Sequence, residues 1–263
     1  MSYALAIPVF ALTLATSAAA SSSQWFESDG GTVRVVTSGL ADEQGRLRGA
    51  LEIKLEPGWK TYWRDPGEAG VPPQIELSAS SDIRRAEILF PPPKRITDPY
   101  ATWAGYPQSV ALPVVFGPAT PGGAGIIEGS MFLGICETIC IPFQASFSFD
   151  AGADPDNAAD GMVVTAAFAA LPDDAGPGFE LTGVLRQGSR LLLDADLPPE
   201  AGEPVLFLAA PEGVRLATPA LEERENGSAA FVAEILDAPD EAAELHYTLV
   251  LGGKAVSGTV VMP

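Results

Sequence analysis

The chemistry of this chain starts with two thiols. In "GICETICIP", residues 134–142, Cys136 and Cys140 stand with three residues between them, and they are the only cysteines among 263 residues. Such a pair can be a structural disulfide, a pair of metal ligands or a redox-active dithiol. A disulfide needs Cα atoms about 4.4–6.8 Å apart. A fully extended run from one cysteine to the other would put them roughly 13 Å apart, at about 3.3 Å per step. The segment must therefore turn, in a hairpin connection or a single helical turn.

Each reading makes its own demand. A staple stabilises most when it closes a long loop; this one gives only about 2 kcal/mol, against nearly 5 kcal/mol for a loop of about 100 residues. A metal pair of thiolates suits Cu(I) or Zn(II), but a closed zinc site wants four ligands. Only Met131 lies near the pair, and the single histidine, His246, falls in a strand pattern where a packed or solvated role is the simpler one. Two-coordinate Cu(I) stays open. A redox pair profits from the absence of a third thiol that could scramble it. The loop offers Glu137 and uncharged residues, with no Lys, Arg or His to favour a thiolate. That suits a pair that is attacked by a more reactive partner, or that resolves a mixed disulfide with it.

The elements around the pair read as strands. Short alternating or apolar runs recur at Thr32 to Ser38, Leu47 to Leu55, Ser109 to Phe116, Ile126 to Ile135 and Phe143 to Phe149. In the last, Phe143, Ala145, Phe147 and Phe149 share one face at period two. The cysteines thus sit in the connection between two strands, at one end of an antiparallel sandwich. Between Asp150 and Gly178 the pattern changes. Asn157 is a helix cap, Val164, Phe168 and Leu171 share a helical face, and Pro172 stops the helix. Seven further strand patterns follow Phe179, the last two joined through Gly252-Gly253, a hairpin signal.

Composition sets the surroundings. Residues 1–25 carry no acid or base, Leu5 to Leu14 are mostly apolar, and Ala18 to Ala20 supply small residues, as in a secretory leader cut after Ala20. No other apolar run is long enough to span a bilayer. The net charge of −19, from 15 basic and 34 acidic residues, argues against binding nucleic acid or an anionic membrane. Gly 27 and Pro 24 punctuate apolar runs without forming a low-complexity block, as in a globular chain.

Three stretches carry a family likeness: "GWKTYWRDPGEAGVPP" (Gly58 to Pro73), "FPPPKRITDPYATWAGYPQSVALPV" (Phe90 to Val114) and "GICETICIPF" (Gly134 to Phe143). Together they resemble the periplasmic N-terminal region of the thiol-disulfide reductase DsbD and of its ScsB relatives, linked to suppression of copper sensitivity. The resemblance implies an Ig-like domain whose cysteine pair, here Cys136 and Cys140, takes electrons from a membrane partner and passes them to periplasmic thioredoxin-like proteins. It implies that Cys140 makes the intermolecular bond. It also implies a cap loop that shields the dithiol, with Asp98 as the acidic neighbour and Tyr100 as the shielding ring. Trp59, Tyr62, Trp63 and Trp103 are candidates to line the same end.

The expected protein is all-β: two tandem immunoglobulin-like β-sandwiches joined by a short helical linker. The expected divisions are a signal peptide over 1–20, a redox domain over 21–150, a linker over 151–178 and a second sandwich over 179–263. The expected function is periplasmic thiol-disulfide exchange, an oxidoreductase activity needing no metal or other cofactor. With the chain ending at Pro263, a membrane-embedded electron donor is expected to act in trans, with thioredoxin-like proteins as clients. The alternative is a copper(I)-handling or client-binding sandwich whose cysteines do no catalysis.

Overall fold

The computed structural model describes residues 21–263, apart from 68–69, 98–101, 120, 226 and 240. The expected leader lies outside these residues. Alternation at period two sets which face of each strand is buried. In Leu47–Leu55, the side chains of Leu47, Leu51 and Ile53 are fully buried while Arg48 and Lys54 point out. One sheet of the first sandwich orders Phe26–Ser28, Gly31–Thr37, Leu47–Leu55, Val110–Gly117 and Arg85–Ile88. The other orders Cys140–Asp150, Ile126–Cys136, Lys60–Tyr62, Thr102–Tyr106 and Lys94–Thr97, with Gln74–Leu77 also pairing with Ile126–Cys136. Val33, Leu51, Phe116, Ile127, Leu133 and Ile135 are among the apolar side chains that fill the space between the sheets.

The long strands fall where the sequence pattern places them. Between Lys60 and Tyr106 the chain also makes five strands of only three to five residues. Prolines at 66, 72, 73, 91, 92 and 93 cut this stretch into pieces too short to show a period.

The helix spans Ala158–Ala169, and the Asn157 side chain accepts from the backbone N–H groups of Ala159 and Asp160. It is seated on the outer face of the first sandwich, where Val164 and Ala167 cover Val36 and Ala50. Asp160 is buried there and pairs with Arg34 at 3.0 Å, which also pairs with Glu52 at 2.7 Å.

The second sandwich packs a four-stranded sheet against a five-stranded one around its own core of Leu191, Leu193, Leu206, Phe231, Leu245 and Leu249, among others. The Gly252-Gly253 hairpin forms as expected, joining Leu251 to its partner Lys254 with φ values of 60° and 87°. The two sandwiches share apolar packing. Phe207 and Ala209, from the Val205–Ala209 strand, belong to the first core, and the Phe207 ring meets Trp63 edge-on at 5.9 Å. Arg95 donates to the Leu206 carbonyl at 2.8 Å, and the Ala210 N–H donates to Asp65 at 3.4 Å.

Candidate functional site

A hairpin carries the disulfide. The antiparallel ladder between Ile126–Cys136 and Cys140–Asp150 runs without a break from Ile126 opposite Asp150 to Cys136 opposite Cys140. Glu137, Thr138 and Ile139 make the turn, where the Glu137 N–H donates to the Ile139 carbonyl. The two cysteines are bonded, with Cα atoms 4.1 Å apart. Of the two ways to close the segment, the chain uses the hairpin.

The two sulfur-bearing residues differ in exposure, and the sheet explains why. Cys136 lies in an inner strand, flanked by Cys140 on one side and Lys60 on the other, and is 1% exposed. Cys140 opens the edge strand, has a strand neighbour on one side only, and is exposed.

The Lys60–Tyr62 strand supplies the pair's polar contact. The Tyr62 hydroxyl lies 2.7 Å from Cys140 Sγ and 3.3 Å from Cys136 Sγ. Disulfide sulfurs carry no hydrogen, so the hydroxyl donates to them. Thr61, next in line, donates its hydroxyl to the Gly134 carbonyl and ties this short strand to the hairpin. Gly134 makes the close approach possible, because a Cβ there would stand 2.9 Å from the Tyr62 ring. Trp103 meets Tyr62 edge-on at 5.3 Å, and Lys60 Nζ lies 4.7 Å from the Trp103 ring centre. Tyr62, Trp103 and Cys136 form a small buried cluster of their own, with Val71 and Ile96 against it.

On the turn's other flank is a groove lined by Asp29, Glu56, Trp59, Glu137, Ile139 and Ile141. Ile139 is 71% exposed, at the tip beside Cys140. The surface beside Cys140 is therefore an apolar tip with carboxylates around it.

The four aromatic candidates separate. Tyr62 and Trp103 gather at the disulfide, Trp59 lines the flanking groove, and Trp63, which follows the Lys60–Tyr62 strand, packs on Phe207 instead. Asp98 and Tyr100 lie outside the described residues, in sequence between the Lys94–Thr97 and Thr102–Tyr106 strands. His246 stands in the second sandwich, opposite Thr259. Among the described residues, no three His, Cys, Asp or Glu side chains converge to hold a metal ion. The contact that sequence reasoning missed is the Tyr62 hydroxyl; its only signal was a tyrosine in an aromatic run, Trp59 to Trp63.

Residues 33–151 match the family described as Thiol:disulfide interchange protein DsbD, N-terminal. No curated protein matches the chain. Among solved structures, the N-terminal periplasmic domain of ScsB from Proteus mirabilis superposes with a TM-score of 0.76 at 22% identity, over 93% of this chain and 99% of that one. That likeness is one of fold and spans both sandwiches. A tandem of titin Ig domains also aligns, at 11% identity over 89% of this chain and 95% of that one, but its TM-score of 0.20 carries no argument. The matched segment holds both cysteines, Tyr62 and Trp103, and it is the first sandwich that is similar to the DsbD N-terminal family.

Proposed function

We propose that this protein is a periplasmic thiol-disulfide oxidoreductase that relays electrons through Cys136 and Cys140. The observation that carries the reading is the unequal exposure of a bonded pair: one sulfur is offered to a partner and the other is kept for resolution. A partner thiolate attacks Cys140 Sγ, the Cys136–Cys140 bond breaks, and Cys136 leaves as a thiolate. That thiolate forms in a buried place, where the Tyr62 hydroxyl is at hand to donate to it. The partner's second thiolate then attacks the partner's own sulfur in the mixed disulfide and releases Cys140. Two electrons have passed to this protein, the partner ends as a disulfide, and solvent supplies the protons. Run backwards, the Cys140 thiolate attacks a client disulfide and Cys136 resolves the adduct.

The match of residues 33–151 to the DsbD N-terminal family supports a membrane-embedded donor acting in trans and thioredoxin-like clients. Among the described residues, no helix is long and apolar enough to cross a membrane. The Asp98 and Tyr100 cap belongs to this proposal as the shield of the reduced pair.

Trapping tests the reading. Cys136→Ala leaves the exposed thiol and should accumulate a mixed disulfide with a thioredoxin-like protein that lacks its own resolving cysteine and carries the other as a 2-nitro-5-thiobenzoate mixed disulfide, from which Cys140 displaces the thiobenzoate as the leaving thiolate. Cys140→Ala, which leaves only the buried thiol, should accumulate at least about tenfold less, following thiol access. Equal trapping by both variants, or a pair that stays oxidised below about −300 mV, would sink the proposal.

A further inference from the structure

A second cleft, of 280 Å³, opens where the two sandwiches meet. Trp63, Arg64 and Phe90 form its first wall, and His246, Thr248 and Thr259 stand on the second sandwich's side. Neither cysteine lines it. Two neighbouring residues bring unused donors to this junction. Trp63 is 1% exposed, and its indole Nε1 is buried with no acceptor. Arg64 Nε is likewise buried with no acceptor. The half-buried Arg64 guanidinium lies 5.1 Å from the Phe90 ring centre and 5.8 Å from that of Trp63, and it forms no ion pair among the described residues. Burial lowers its pKa from the usual value, against the nearby Tyr106 and Glu87, which raise it, and a guanidinium stays charged. Asp174 also lines the cleft, exposed, and makes no salt bridge with Arg64.

Buried donors are nearly always satisfied, and an orphan calls for a partner. Here the orphans are a cation and an indole N–H, both of which want an acceptor, and a charged acceptor answers the cation best. A single water fills about 30 Å³, so the cleft holds more than one. Its volume falls just under the range of about 300–1,000 Å³ usual for small-molecule sites, which occur preferentially at domain interfaces. We propose that this junction is a binding site for a small oxyanion. A carboxylate would take the Arg64 and Trp63 donors at one end and the hydroxyls of Thr248 and Thr259 at the other.

The test is a titration of the ¹⁵N-labelled protein with succinate and, separately, with inorganic phosphate, at ionic strength held constant with chloride. The Trp63 indole N–H and Arg64 Nε–H signals should shift together and saturate at one anion per chain. Which anion saturates first distinguishes a carboxylate ligand from a phosphate. Arg64→Gln should weaken binding by about tenfold or more, by loss of a charge-assisted bond, while Arg84→Gln, exposed and outside the cleft's lining, leaves it unchanged. Should Arg64→Gln fail to fold, Thr248→Val on the facing wall carries the test and should also weaken binding. No saturable shift with either anion overturns the proposal. So does a shift that survives Arg64→Gln, or a pair of N–H signals that exchange with water and ignore both anions. The cleft touches neither sulfur, so failure here leaves the redox reading standing, and failure of the redox reading leaves this site intact.

Discussion

Tyr62 is the side chain that makes polar contact with the disulfide. Its hydroxyl reaches both sulfurs, and a donor is worth more to a thiolate than to a neutral disulfide, about 1.5–3 kcal/mol for a bond to a charged group. Tyr62→Phe keeps the ring against Trp103 and removes only that donor. It should slow exchange by about tenfold or more, read as the rate of mixed-disulfide formation at fixed pH. An unchanged rate would leave Tyr62 a packing residue. The cysteine pair and its turn were legible in the sequence, because spacing alone forces the turn and two lone cysteines have few other uses. The sidedness of Tyr62 and Trp63 was not. The strand that carries Tyr62 has three residues, Lys60–Tyr62, and ends before Trp63, too few for a period to declare which ring faces the sulfurs and which faces Phe207.

Elements hold that residue in place from two directions. The hairpin fixes the sulfurs, and Thr61 ties the Tyr62 strand to it. From behind, Phe207 packs on Trp63, next in the chain to Tyr62, so the second sandwich braces the strand that serves the disulfide. Phe207 is 4% exposed, and Phe207→Ala should cost about 3–5 kcal/mol of stability by cavity formation. It should also slow exchange, and Phe207→Leu should recover most of both losses. Urea unfolding and the exchange assay, run on the same samples, check this. The helix is held by a cap and an ion pair. Asn157→Ala should cost about 1 kcal/mol, seen in urea midpoints, with faster amide exchange in the first turn. Strands of seven residues or more were legible because period-two burial repeats several times within them. The short strands from Lys60 to Tyr106 were not, since tertiary pairing rather than local pattern makes them strands. The helix was legible from its cap and apolar spacing, but its seat on Val36 and Ala50 depends on contacts more than a hundred residues apart.

At the scale of the whole molecule, the disulfide adds little to stability. It closes a short loop on a protein with two well-filled cores, so reduction should remove only about 2 kcal/mol and lower the melting temperature by a few degrees, at about 2–4 °C per kcal/mol for a chain of this size. Calorimetry with and without reductant decides this; unfolding on reduction would make the bond a staple after all. The proposed relay, which cycles the pair between oxidised and reduced forms, needs that indifference. The shared packing at Trp63 has a consequence of another kind, for how the chain is made. Asp65 and its partner Ala210 are 145 residues apart, an interval of about 7–30 seconds at synthesis rates of about 5–20 residues per second. In the last part of that interval, once the Cys140–Asp150 strand is made, the growing chain displays an uncovered tryptophan on a nearly complete first sandwich. The second sandwich then arrives as its lid, so a chain that stops short is left with a sticky face for chaperones and proteases to find.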